Sequence, residues 1–272
     1  MEKTSIFSRL FKQSAASGTS PTQHLERRPE FEAALHDYKP SPDTIATLAQ
    51  TTLVTLTAPS ATGRNSIIDE LIKTGRYHFI ISDTTRQPRM NKGIWEQSGR
   101  EYFFRTEDEI LNELNEGAFI EAEIIHNQQV SGISAREIER ARSAQKIAIT
   151  DVDIEGGINI ARLKPDTISI CMLPPSFEAW IARMRGRSDF TPTELHRRLQ
   201  QATKIFRMAL SHSHFIFVIN DNFQAAVQAV DDIARKGVHH AEDELSAHRL
   251  AEELYHDTVQ YLHTHAPDIS VS

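Results

Sequence analysis

From Leu53 onward, short apolar runs alternate with segments in which apolar residues recur every three to four positions. The runs Leu53–Thr57, His78–Ser82, Lys146–Thr150, Thr167–Leu173 and Phe215–Ile219 are rich in β-branched residues and read as buried strands. Phe119–Ile125 alternates in part and reads as a further strand. Between the strands, Ile67, Ile68, Leu71 and Ile72 mark one helical face, and helical spacing returns in Glu107–Leu114, Ser134–Ser143, Glu155–Leu163, Thr193–Leu210 and Asn222–Lys236. Another helix is expected to open at Pro174-Pro175-Ser176, and Ser134 and Ser176 stand where N-caps belong. Two helices, Pro29–Tyr38 and Asp43–Gln50, are expected ahead of the first strand, split by Lys39-Pro40-Ser41-Pro42. Past Gly237, Leu245, Leu250, Ala251, Leu254, Tyr255, Val259 and Leu262 form the stripe of an amphipathic helix that docks on the body or on a partner. Strands alternating with helices predict an α/β fold, a parallel sheet covered on both faces. Ligands in such folds sit at the carboxyl ends of the strands.

A chain of 272 residues then divides into a terminal extension over 1–50, a body over 51–237 and a helical, histidine-rich extension over 238–272. The net charge of −7 argues against nucleic acid as a partner. No apolar run reaches the roughly 18 residues that span a bilayer. Cys171 is the only cysteine, so no intrachain disulfide forms, which fits a reducing, cytoplasmic setting. It lies in an apolar strand and reads as an inert buried thiol. Met1–Gln13 reads as a frayed arm and Ser14–Thr22 as a flexible linker. No acidic or cysteine cluster frames His239, His240, His248, His256, His263 and His265, so they read as a solvated face. The terminal extensions are the places where a protein partner could attach.

Candidate chemistry falls at the strand ends. Ala58-Pro59-Ser60-Ala61-Thr62-Gly63-Arg64-Asn65-Ser66 lies between a strand and a helix and follows the outline of a phosphate loop, G-x-x-x-x-G-K-[ST]. Ser60, Ala61, Thr62, Gly63, Arg64, Asn65 and Ser66 would cradle the phosphates of ATP. Arg64 takes the lysine position and Ser66 can offer a hydroxyl to Mg2+. Ala58 replaces the first glycine and is expected to strain the backbone by about 1–2 kcal/mol. Arg86 and Arg89 flank Pro88; two arginines held close need an anion between them, and a phosphate bonds both. Tyr102 can donate to the same phosphate. Asp151 and Asp153 directly follow a strand; one can hold Mg2+ through water, and Asp153 also suits a helix cap. Arg183 and Arg187 share a helix face, and Arg198 can join them from the next helix. Phosphoryl transfer uses such a cluster because charge spreads over the transferring oxygens.

Read in order, these residues resemble the guanylate kinase family over about residues 53–236, most closely at Thr84–Arg89, Phe119-Ile120-Glu121, Asp151–Gly156, Ile170–Ser176, Arg183–Arg187 and Phe215–Asp221. The resemblance implies a P-loop nucleoside monophosphate kinase-like fold: a parallel sheet flanked by helices, a small acceptor-binding subdomain and an arginine lid. It implies phosphoryl transfer from ATP, with Mg2+, to GMP. Ser82, Arg86, Arg89 and Tyr102 would bind the acceptor phosphate, and Glu121 would accept from the guanine ring. Asp151 would lie near base and metal, and Arg64, Arg183, Arg187 and Arg198 would serve catalysis. Two departures stand out: the loop, which in the family reads GPSGxGK, and the stretch His126–Ser134. There the family's phosphate-binding tyrosine is missing and Ile133 replaces a base-reading hydroxyl, with Gln128, Gln129 or Ser134 able to compensate. Two other readings therefore stand beside the first: a catalytically silent domain that binds a nucleotide or phosphorylated partner, and a kinase for a different monophosphate.

Overall fold

A computed structural model describes residues 24–265 except 92, 126, 188–190 and 239–240. The expected arm and linker, together with His239 and His240, lie outside the described residues. In chain order the elements are α1 (Arg28–His36), α2 (Pro42–Ala49), β1 (Leu53–Thr57), α3 (Arg64–Lys73), β2 (Tyr77–Phe79), β3 (Asp83–Thr84), β4 (Met90–Asn91), β5 (Ile94–Trp95) and β6 (Phe103–Phe104). There follow α4 (Glu107–Asn115), β7 (Phe119–Ile125), β8 (Gln129–Ser134), α5 (Ala135–Ser143), β9 (Ile147–Asp151), α6 (Ile154–Leu163) and β10 (Ile168–Leu173). The last elements are α7 (Phe177–Arg187), α8 (Pro192–Leu210), β11 (Phe215–Ile219), α9 (Phe223–Lys236) and α10 (Ala241–Thr264). The chain forms two compact units.

One unit takes Val54–Leu71, Asp151–Ala161 and the chain from Asp166 onward. Its strands run parallel in the order β11-β10-β1. All five residues of β1 are buried, as expected of a strand covered on both faces. The core beside them is aromatic: Trp180 of α7 packs edge-on against Phe206 of α8 at 5.9 Å between ring centres. Leu195, Leu199 and Ala202 of α8 join it, as do Ala247, Ala251 and Leu254 of α10. Ser176 caps α7 by accepting from the Ala179 N–H at 3.2 Å, and Asn222 caps α9 through the Ala225 N–H at 3.0 Å.

The other unit takes the chain up to Leu53, Ile72–Thr150 and Arg162–Pro165. It contains the parallel pair β2–β9 and a second sheet in the order β6-β3-β8-β7. In the second sheet β3–β8 and β7–β8 run antiparallel, beside the parallel sheet that the alternation of strands and helices predicts. The apolar run at 78–82 divides: β2 ends at Phe79, and the chain enters the second sheet at Asp83. β8 reads Gln-Val-Ser-Gly-Ile-Ser, which carries no clear period, yet it lies between two partners. α4 opens with a capping box, in which Thr106 accepts from the Glu109 N–H and the Glu109 carboxylate from the Thr106 N–H.

Candidate active site

On the donor side, β1 runs into a loop that turns at Pro59 and enters α3 at Arg64. The left-handed residues of this loop are Ala61, at φ +66°, and Gly63, at φ +91°. Ala58 is not among them, which corrects the expectation of strain at that position: the substitution that costs backbone energy is Ala61. Gly63 is required twice. Its φ disfavours a side chain, and a Cβ there would lie 2.4 Å from Asn220 Nδ2. That amide donates to Thr62 O at 2.6 Å. Trp180 Nε1 donates to Ser60 O at 2.7 Å, and Arg198 Nη1 to Ser60 Oγ at 2.8 Å. Three side chains from β11's end, α7 and α8 therefore fix the loop. Asn220 and Trp180 were not singled out in the sequence; the available signal was that Asn220 directly follows a strand, where ligands collect.

Arg64 does not extend along the loop. Its Nη2 donates to Asp151 Oδ2 at 2.7 Å, while Nη1 reaches Val152 O at 3.3 Å and Leu56 O at 3.5 Å. Both partners of the ion pair are largely covered, at 18% and 14% exposure. Three acceptors at fixed angles suit a planar fork and not an ammonium, a physical reason for arginine at this position. Asp153 does what a cap does, accepting from the Gly156 N–H at 2.7 Å. Arg183 Nη1 donates to Asn220 O at 2.8 Å, and Arg198 Nε to Glu194 at 2.7 Å. Arg183, through Asn220, and Arg198, through Ser60, thus both converge on the loop. Arg187 ends α7, and its side chain lies outside the described part. Ser66 is exposed in the first turn of α3, with Asn65 before it accepting from Arg64 Nε at 3.3 Å.

On the acceptor side, Arg86 is buried, and an anion does stand beside it. Glu96 receives both guanidinium arms, at 2.5 and 3.0 Å, and also accepts from the Arg89 N–H at 2.8 Å. Tyr102 and Phe104 stack on Arg86, with its guanidinium carbon 4.6 and 5.3 Å from their ring centres. Burial pushes the Glu96 carboxyl up, but the bonds from Arg86 and the Arg89 N–H outweigh it and hold the group below the usual carboxylate range. Glu96 was missed in the sequence. The signal was the rule that paired arginines need a counter-charge, with this carboxylate only ten residues away. Ser82 accepts from the Phe103 N–H at 2.9 Å through its carbonyl, which sets Tyr102 and the Arg86 turn side by side. Next to it, Asp83 is fully buried and bridges Arg105 (3.2 Å) and Arg136 (2.7 Å). Burial outweighs both cations, so its carboxyl is held above the usual range. Glu121 is half-buried on β7. Ser134 takes the N-cap position of α5, yet its hydroxyl makes no bond to the helix amides.

A sequence profile of guanylate kinases matches residues 50–236. The chain is 34% identical to the guanylate kinase of Corynebacterium efficiens over 180 residues, which cover 65% of this chain and 92% of the relative. It is 30% identical to that of Porphyromonas gingivalis over 183 residues, covering 66% and 94%. The crystal structure of guanylate kinase from Anaplasma phagocytophilum shares the fold, with a TM-score of 0.50 at 20% identity, over 75% of this chain and 95% of that one.

Proposed function

The chain belongs to the guanylate kinase family, and from that premise we propose that it transfers the γ-phosphoryl group of ATP to GMP, giving ADP and GDP. A phosphate oxygen of GMP forms the new bond to the γ-phosphorus as the bond to the β,γ-bridging oxygen breaks, and the electron pair leaves with ADP. The observation that carries the acceptor assignment is the Arg86 turn. The Arg86 guanidinium and the Arg89 backbone N–H meet on the Glu96 carboxylate, with Tyr102 stacked beneath Arg86. A site built for a bidentate oxyanion accepts a phosphate on the same geometry. Ser82 borders that turn, and Glu121 would accept from the guanine ring.

The ATP phosphates would rest on the Ser60–Ser66 loop. Arg183 and Arg198 would neutralise developing charge from where they already touch the loop or its tether, and the resemblance gives Arg187, on α7 with Arg183, the same role. Arg64 closes the loop and pairs with Asp151 beside it. Mg2+ would come with ATP and would supply charge neutralisation for its phosphates. Asp151 and the exposed Ser66 offer the oxygen donors that Mg2+ takes, and these donors fit it in kind.

The test is steady-state ADP production with MgATP and a panel of nucleoside and sugar monophosphates. GMP should be the preferred acceptor, and Arg86→Ala should reduce kcat/KM for it by about a hundredfold or more, since a charged partner of the phosphate is lost. Turnover that persists in Arg86→Ala would discard the acceptor assignment. Preference for another monophosphate would redirect the reading to the altered His126–Ser134 stretch of the sequence.

A further inference from the structure

The residues ahead of the family match form part of the acceptor unit. Leu25 and Phe31 are fully buried, in one cluster with Ile110, Leu111 and Leu114 of α4 and with Phe119 of β7. Backbone groups anchor both ends of the segment. The Glu26 and Arg27 N–H groups donate to the Glu107 carboxylate at 3.1 and 2.8 Å. The Ser41 N–H and the Thr44 hydroxyl both donate to Gly117 O, at 2.8 and 2.9 Å.

Between these anchors, Tyr38 meets β7 at a place with mechanical significance. Among the described residues β7 is the edge of its sheet, with no strand beside its outer N–H and C=O groups. The Tyr38 hydroxyl accepts from the Phe119 N–H at 2.9 Å and donates to Phe119 O at 2.7 Å. A hydroxyl can do both at once; an ammonium or a carboxylate cannot. The β7–β8 register slips at the same place: Phe119 faces Ser134, while Glu121 faces Ile133. Two steps on β7 match one on β8, which is a bulge. A bulge turns the side chains that follow it, and it holds its shape only if its backbone groups are satisfied. Glu121 is the first residue after the bulge. Across the ladder the space is filled, since a Cβ on Gly132 would lie 2.6 Å from Glu121 O. The bulge is therefore fixed from β8 on one side and from Tyr38 on the other.

We propose that Tyr38 is a positioning residue for acceptor recognition: the segment before the kinase-like stretch clamps the β7 bulge and so aims Glu121. The inference rests on the reading of Glu121 as the acceptor of guanine N–H groups. It predicts that a bond two residues from Glu121, made by a residue outside the matched stretch, tunes base selection without affecting ATP.

The experiment compares full-length wild type, Tyr38→Phe and Thr44→Val. Tyr38→Phe keeps the ring and removes only the hydroxyl. Thr44→Val removes a hydroxyl bond of the same segment to Gly117 O, outside the β7–β8 ladder. KM for GMP, KM for ATP, kcat, the preference for GMP over inosine monophosphate and the thermal midpoint are measured for each. Inosine monophosphate lacks the exocyclic amino group. Tyr38→Phe should raise KM for GMP about tenfold and narrow the GMP preference, with KM for ATP within about twofold. Thr44→Val should lower the midpoint comparably and leave both KM values unchanged. The positioning role is overturned if Tyr38→Phe leaves KM for GMP unchanged, or if both variants shift GMP and ATP alike. A wild-type chain that does not use GMP would bring down the functional reading and this inference with it, which is distinct from a GMP kinase indifferent to Tyr38.

Discussion

At the scale of single residues, the donor loop shows where reading a motif by position goes astray. The motif pattern placed the strain of a lost glycine at Ala58, the first position of the pattern. The backbone instead turns left-handed at Ala61 and Gly63. The difference is measurable, because glycine has opposite effects at the two alanines. Ala61→Gly should stabilise the protein by about 1 kcal/mol, by relieving an alanine held at positive φ. Ala58→Gly should destabilise it by about 0.5–1 kcal/mol, since it only adds freedom to the unfolded chain. Denaturant midpoints of the two variants check this; equal effects would refute the assignment of strain to Ala61. Chemistry at the residue level was legible where it follows from charge alone. The charge of Arg86 calls for an anion; the sequence reading makes it a phosphate shared with Arg89, and in the structure the anion on Arg86 is the carboxylate of Glu96. What could not be read was direction: nothing in the order Gly63-Arg64-Asn65 says that the guanidinium turns to Asp151 and two carbonyls.

At the scale of elements, length decided what was legible. β1, β7 and β11 match the expected bounds to the residue, and β10 and α8 do so within one, because five or more residues of consistent pattern leave little ambiguity. β3, β4, β5 and β6 have two residues each, too few to carry a period, and they were not anticipated. β8 escaped because Ser131 and Gly132 break the apolar pattern, although Gly132 is what lets β7 approach. This gives a paired prediction. Gly132→Ala puts a Cβ within 2.6 Å of Glu121 O and 2.7 Å of Ala122 Cβ, so a strand must shift. A loss of about 2–3 kcal/mol is expected. Gly186→Ala, with nothing within 4 Å in the last turn of α7, should instead gain up to about 0.5 kcal/mol. Thermal midpoints that move the same way in both variants would show that strand approach is not what holds Gly132.

At the scale of the whole molecule, the question is whether the chain outside the matched stretch is ornament or framework. α10 begins beyond residue 236, where the family match ends. From the sequence it was an amphipathic helix with a choice of body or partner. From Ala247 on, its apolar side goes to the body, with Ala247, Ala251 and Leu254 in the core beside Trp180, Leu199 and Phe206, while Leu245 of the expected stripe stays exposed. Phe177 of α7 meets Tyr261 at 5.6 Å between ring centres. These contacts fall on the two helices that carry Arg183, Arg187 and Arg198, and Trp180 is also the residue that holds Ser60 O. A chain ending at Gly237 would expose that aromatic cluster to water. At about 25 cal/mol per Å2 of apolar surface, uncovering several hundred Å2 costs on the order of 5 kcal/mol or more, comparable to the whole stability of a domain. The truncated protein should therefore lose its cooperative thermal transition or bind a hydrophobic dye in the native buffer, and lose turnover with it. A truncation that melts like the full chain and turns over normally would mean that α8 closes the core by itself, and that the loop's tethers do not depend on the helix behind them.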